Sequence, residues 1–193
     1  MKATIGKERA ILDAALRLFS HNGYRKTSVD EIAAAAGIGK GTIYLYFASK
    51  EALFRALCTH VIEHVFSDVR ETIGDDGHAF ARIAAALRVK YGRFFRMVAS
   101  APYGRELVES RDEHAADLFR AFDERFESLV VELVERGLLR AELRRTADRL
   151  TARAIAQTLL AAARGVALAA RDPADFDRRF EALLAVLREG LTA

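Results

Sequence analysis

Apolar residues in this chain recur at intervals of three and four, and no stretch alternates β-branched residues over the length of a strand. That pattern predicts an all-α protein. Ile11, Leu12, Ala15, Leu18 and Phe19 mark one face of a helix over residues 4–21, with Lys7, Arg9 and Arg17 off the stripe. Asn22-Gly23 ends it, because glycine accepts the left-handed conformation that closes a helix. Ser28-Val29-Asp30-Glu31 has the form of a capping box, a serine cap answered by glutamate three residues on. Asp30 and Glu31 also suit the positive end of the short helix that follows, whose inner face is Val29, Ile32, Ala33 and Ala36. Gly37 permits a tight turn, and a third helix is expected over residues 40–47 with Ile43 and Phe47 facing inward. Two short helices joined by a glycine-containing turn form a helix-turn-helix, whose second helix can lie in the major groove of DNA.

The periodicity continues through the rest of the chain. Ser49 caps a long fourth helix over residues 50–72, with Leu53, Leu57, Val61 and Val65 on one face. Gly74-Asp75-Asp76-Gly77 breaks it, and Asp76 is the expected cap of a fifth helix over 78–100, just before Pro102. A short helix is expected at 103–109. Ser110-Arg111-Asp112-Glu113 repeats the capping-box pattern and is expected to open a helix that runs to Arg136 and stops at Gly137. Thr146 is the expected cap of a helix over 147–171. Asp172-Pro173, a cap followed by proline at the first helical position, starts the last helix, which ends near Glu189. The pattern gives about nine helices, a three-helix head followed by a helical body.

Composition changes this picture in three ways. The single cysteine, Cys58, excludes an intrachain disulfide, which fits a reducing, cytoplasmic setting. The first residues run into charge rather than an apolar signal core, and no apolar run approaches the roughly 20 residues that span a bilayer. The net charge of +3 is unevenly spread: residues 1–50 hold 8 Lys/Arg against 4 Asp/Glu, and residues 51–193 hold 22 against 23. The positive excess sits on the head, as suits a polyanion-binding element on a near-neutral body. A helical bundle with a solvated basic face is the alternative that charge alone leaves open.

The residues of the head carry a resemblance. Thr27-Ser28-Val29-Asp30-Glu31-Ile32-Ala33, then Gly37-Ile38-Gly39-Lys40-Gly41-Thr42-Ile43-Tyr44-Leu45-Tyr46-Phe47 and Ser49-Lys50-Glu51-Ala52-Leu53, resemble the TetR family of bacterial regulators over roughly residues 7–57. Gly39 departs from the serine or threonine frequent there, and Tyr46 from histidine. The resemblance implies a DNA-binding domain at 6–66, with its helix-turn-helix at 28–47, and an effector-binding and dimerisation domain at 67–193. Residue chemistry assigns roles at the DNA. Gly39 and Gly41 let the backbone approach a phosphate, Lys40 reaches a phosphate or a guanine edge, and Thr42 offers a hydroxyl or a methyl. Tyr44 and Tyr46 present hydroxyls, Thr27 and Ser28 with the first amides of the second helix hold another phosphate, and Lys50 adds positive charge.

By the same resemblance the body holds an effector among Leu57, Val61, His64, Phe80, Leu87, Tyr91, Phe94, Phe95, Tyr103, Phe119 and Phe122. Rings and aliphatic chains there point to an apolar or aromatic effector, with Arg93 or Arg96 meeting any anionic group. Ordinary core packing is the competing reading for most of these residues. Small residues along 161–170 let helices approach closely. Ile155, Leu159, Ala162, Val166, Phe176, Phe180, Leu183, Leu184 and Leu187 are the expected surface of a two-fold homodimer, against the alternative of an internal core.

The resulting expectation is a cytoplasmic, dimeric, ligand-binding repressor of transcription that reads a pseudo-palindromic DNA operator through its third helix. An activator, or a regulator without an effector, is the nearest alternative. No cofactor, metal or membrane partner is expected. Gly39-Lys40 is not a phosphate-binding loop, which requires Ser or Thr at Gly41 and Gly at Ala34; a dinucleotide fingerprint requires Gly at Thr42. His60-Val61-Ile62-Glu63-His64 spells a zinc-peptidase pattern, so a helical metalloenzyme using His60, Glu63 and His64 is a remote second class. It lacks a placed third ligand, and His78 and His114 are only candidates.

Overall fold

The structure is a computed structural model of the 193-residue chain. It describes residues 2–144 and 150–192, with side chains from Gly6 onward. Nine helices occupy the described residues: α1 Lys2–Asn22, α2 Val29–Ala35, α3 Lys40–Tyr46, α4 Lys50–Ile73, α5 Ala79–Ser100, α6 Gly104–His114, α7 Ala116–Leu139, α8 Ala152–Ala169 and α9 Pro173–Leu191. Helix α5 is not uniform, since a π-helical turn at Arg88–Gly92 separates Ala79–Leu87 from Arg93–Ser100. The all-α expectation holds among these residues.

Compact contacts divide the chain into two units. The first combines the chain up to Glu63 with Met97–Phe119; the second combines His64–Arg96 with the chain from Arg120 onward. The first unit therefore joins two separate stretches of the chain. In the first unit the Tyr103 amide donates to Ser20 O at 3.2 Å and the Arg25 amide to Glu106 Oε1 at 2.7 Å. These contacts tie the N-terminal part of α6 to the α1–α2 connection. Gly23, at φ +88°, leaves room for that glutamate, because a Cβ there would lie 2.5 Å from Glu106 Oε2. Beneath lie Ile11, Leu12, Phe19, Ile32, Ile43, Phe47, Leu53 and Phe54, all buried. Each such side chain contributes roughly 1.5–3 kcal/mol by leaving water. Phe19, Tyr24 and Phe54 pack ring to ring at 4.9–5.8 Å.

In the second unit α8 and α9 pack on each other, and α5 packs on α9. Phe95 stacks on Phe176 at 5.0 Å and Phe176 on Phe180 at 5.2 Å. Thr151 caps α8 by accepting from the Ala154 amide at 3.1 Å, and Asp172 caps α9 ahead of Pro173. The cap expected at Thr146 lies outside the described residues.

Several boundaries differ from the sequence reading; α8, expected over 147–171, starts at Ala152 after non-helical Leu150 and Thr151. Ser110 does not open a helix: it is a buried residue inside α6, and the next helix begins at Ala116. His78, not Asp76, caps α5, its Nδ1 accepting from the Phe80 amide at 3.3 Å. Gly137 does not stop its helix, which continues to Leu139. A Cβ at Gly137 would lie 2.6 Å from Ala79 Cβ and 2.7 Å from Leu143 Cδ1, so the glycine serves close packing rather than termination.

Candidate nucleic-acid interface

The helix-turn-helix is built by local hydrogen bonds that the sequence dictates. The Glu31 amide donates to Ser28 Oγ at 3.2 Å while the Ser28 amide donates to Glu31 Oε2 at 2.7 Å, the two halves of a capping box. That amide, together with the serine hydroxyl, holds the Glu31 carboxyl below its ordinary range. Gly37 closes α2 at φ +68°, and the Ile38 amide reaches back to Ala33 O at 3.0 Å. Gly39 is the cap of α3, in extended conformation and without a side-chain bond. Ile43 and Phe47 are buried and fasten α3 inward.

With those two positions fixed, a turn of 100° per residue decides what α3 presents outward. Gly39, Lys40, Gly41 and Tyr44 are exposed, Thr42 and Tyr46 are half-buried, and Leu45 stands farthest out at 84% exposure. A Cβ at Gly39 or at Gly41 would meet nothing within 4 Å, so the fold itself does not require glycine at either position. Leu45 was absent from the residues expected at DNA, although its place opposite Ile43 and Phe47 was available from the helical period. Lys40 Nζ pairs with Asp30 Oδ2 at 2.8 Å, linking α3 to the start of α2, and that carboxylate raises the lysine's pKa.

Two of the expected contacts are redirected. Thr27 is buried, with its hydroxyl donating to Gly23 O at 2.7 Å, so its side chain does not face a phosphate. Lys50 Nζ donates to Tyr24 O at 3.0 Å, Thr27 O at 3.2 Å and Arg25 O at 3.4 Å, and sits 4.5 Å from the Tyr24 ring centroid. Its ammonium closes the carbonyl ends of the α1–α2 connection instead of standing free for DNA. Ser28 stays exposed while bound in its capping box.

The residues expected at an effector fall in both units. Leu57, Val61, Tyr103 and Phe119 belong to the first; His64, Phe80, Leu87, Tyr91, Phe94, Phe95 and Phe122 belong to the second. Leu57, Phe80, Leu87 and Phe122 are buried, which is the ordinary state of core residues. Tyr91 donates to Leu160 O at 3.2 Å, and burial pushes its phenol up to about 12. Arg93 and Arg96 already face carboxylates, Asp68 and Asp177 respectively. Besides Arg82, which donates to the Ile73 and Gly74 carbonyls, the buried cation among the described residues of this unit is Lys90, which the sequence reading did not single out. Its signal was positional, because it extends the stripe of Phe80, Ile83 and Leu87 along α5.

Of the residues expected at a dimer surface, Ile155, Leu159, Phe176, Phe180 and Leu184 are buried within the chain itself and belong to its own core. Ala162, Val166, Leu183 and Leu187 remain partly open, while Leu168 and Val186 are 80% and 70% exposed. Among the described residues no group of three or more His, Cys, Asp or Glu is placed to hold a metal ion, and no helix is long and apolar enough to cross a membrane. His60 and Glu63 lie in the first unit and His64 in the second. Burial pushes the Cys58 thiol up to about 12, the state of an unreactive core sulfur.

An all-α chain with a capped two-helix unit and a small, basic and aromatic outer helix defines a helix-turn-helix protein. Comparison with known proteins agrees: the family described as bacterial regulatory proteins, tetR family, matches residues 11–57. The HTH-type transcriptional regulator RutR of Escherichia coli (strain K12) is 31% identical over 149 residues, 72% of this chain and 66% of that protein. A TetR transcriptional regulator from Chloroflexus aurantiacus superposes over 100% of this chain and 99% of its own, with TM-score 0.76 and 24% identity. FadR from Bacillus subtilis, solved in complex with stearoyl-CoA, covers 91% of this chain and 97% of its own, with TM-score 0.63 and 20% identity. The chain spans only 22–39% of the length of the first Bacillus subtilis relatives it matches. The chain belongs to the TetR family of bacterial helix-turn-helix regulators. These relatives are transcriptional regulators and not enzymes, which removes the metalloenzyme alternative.

Proposed function

We propose that the chain is a dimeric, effector-responsive repressor that reads a pseudo-palindromic operator with the outer face of α3. The observation that carries this reading is that face itself. Gly41, Tyr44 and Leu45 point away from a helix whose other side is fixed by Ile43 and Phe47, and the glycine has no internal reason to lack a side chain. A backbone that approaches a duplex closely supplies such a reason. Lys40 and Tyr44 add a charge and a hydroxyl for phosphate and base edges. Leu45 adds an apolar surface of the kind that meets a thymine methyl.

Dimerisation supplies two such helices at a fixed spacing, which a palindromic site requires. The partly open stripe of Leu183, Val186 and Leu187 on α9, with Ala162 and Val166 on α8, suits a second copy of the chain better than the buried residues first assigned to that role. An effector can release such a protein only by binding more tightly to the state that does not fit DNA. FadR, a relative in fold, is solved with an acyl-CoA, which supports an apolar effector here.

A direct test is a gel shift with the DNA upstream of the reading frame. An inverted repeat there, retarded by the purified protein, supports the reading. Failure to retard any fragment of that region at low salt contradicts it.

A further inference from the structure

Within the second unit a buried cation that pairs with a carboxylate is shut away from water while its counter-ion is not. Lys90 lies on the π-helical turn of α5 with a side chain only 9% exposed, and its Nζ donates to Asp123 Oδ1 at 2.6 Å. The Asp123 side chain is 52% exposed. Around the ammonium stand the rings of Phe126 at 4.4 Å, Phe122 at 4.7 Å and Tyr91 at 5.4 Å, measured to their centroids. Arg164 adds a second positive field on Lys90 and Tyr91.

We propose that Lys90 is the head-group anchor of the effector site and that the site takes an apolar or aromatic molecule with a single carboxylate, which replaces Asp123 on Nζ. This names the effector's chemistry and rests on the reading of the chain as effector-responsive. The asymmetry of exposure carries the argument. A buried ammonium must keep an anion beside it, whereas a half-exposed aspartate can turn to water at small cost. Exchanging one carboxylate for another leaves the charge balance and the proton count unchanged. Phe122 and Phe126 give the incoming molecule apolar contact next to its charge. The positive field of Arg164 at Lys90 and Tyr91 favours an anion over a cation, and Lys90 already occupies the place among the rings that a cationic ligand would need. Burial lowers the Lys90 pKa and Asp123 opposes that shift, so the ammonium depends on its anion. Arg93 and Arg96 are poorer anchors because both are exposed, so water competes for their charge.

The test uses the full chain, calorimetric titration, and matched probes: octanoate against octanol, 3-phenylpropanoate against 3-phenylpropanol, and octyltrimethylammonium. Each carboxylate should bind the parent at least about tenfold more tightly than its alcohol, the contribution of one charged hydrogen bond. Asp123→Asn should tighten the carboxylates several-fold and leave the alcohols unchanged, because the internal competitor is gone. Lys90→Met should bring the carboxylates down to the alcohols. If Lys90→Met does not fold, the contrast between the parent and Asp123→Asn decides. Equal binding of acid and alcohol, tightest binding of the ammonium, or a carboxylate preference that survives Lys90→Met overturns the assignment. Operator affinity is measured separately on the same samples. Lys90-dependent carboxylate binding that leaves DNA affinity unchanged keeps this site and removes effector control. Release of DNA by the alcohols alone removes this site and keeps effector control.

Discussion

Asp117 accepts both guanidinium nitrogens of Arg55 at 2.7 Å, and that pairing holds its carboxyl down at about 2 against the ordinary 3.8. A carboxyl depressed in the folded state stabilises it above the unfolded value, and the contribution is lost as pH falls through the folded value. The parent should therefore lose stability relative to Asp117→Asn between pH 3.8 and about 2, and urea midpoints across that window check it. Parallel curves for the two proteins would show that the pair contributes nothing in solution, as many exposed pairs do. Asp30 has a different place, beside the reading helix and paired with Lys40. Asp30→Asn frees that lysine and removes a negative charge beside the face of α3 proposed to meet DNA, so operator affinity should rise several-fold and steepen with falling salt. Anisotropy titrations at two salt concentrations measure both effects.

Among the elements, α3 gives the sharpest contrast between folding and function. Glycine inside a helix costs up to about 1 kcal/mol relative to alanine. A Cβ at Gly41 meets nothing within the chain. Gly41→Ala should raise the thermal midpoint and weaken operator binding in the same protein. A variant that is both more stable and equally tight on DNA would remove the close-approach role. The helical period made much of this element legible: Ile43 and Phe47 inward, Ser28 capping with Glu31, Gly37 turning. Leu45 was equally legible from the period, but residue type drew attention to the polar neighbours instead. Boundaries elsewhere were less legible because one residue type serves two physical ends. Ser110 with Glu113 spells a cap yet lies inside α6, and Gly137 spells a stop yet makes room for Ala79 and Leu143. Only tertiary packing separates those cases.

For the whole molecule, the sequence showed an apolar excess on α8 and α9 but not how it is shared. Phe176 and Phe180 close the chain's own core, while Leu183, Val186 and Leu187 stay partly or largely open. Thr27 and Lys50 were misplaced for a related reason, since a hydroxyl or an ammonium at the head is equally suited to a phosphate and to the chain's own carbonyls. Leu183→Glu should convert a dimer to a monomer in sedimentation while the helical circular dichroism signal persists, and should weaken binding to a two-half-site operator far more than to one half-site. A parent that sediments as a monomer at micromolar concentration would contradict the dimer. The central claim is that the outer face of α3 reads DNA, and the most direct measurement is the operator affinity of Lys40→Ala and Tyr44→Ala beside the parent, with sedimentation confirming unchanged assembly. Both variants should bind several-fold more weakly, and Lys40→Ala should lower the salt slope by about 1. Two variants that bind the operator like the parent would contradict the account.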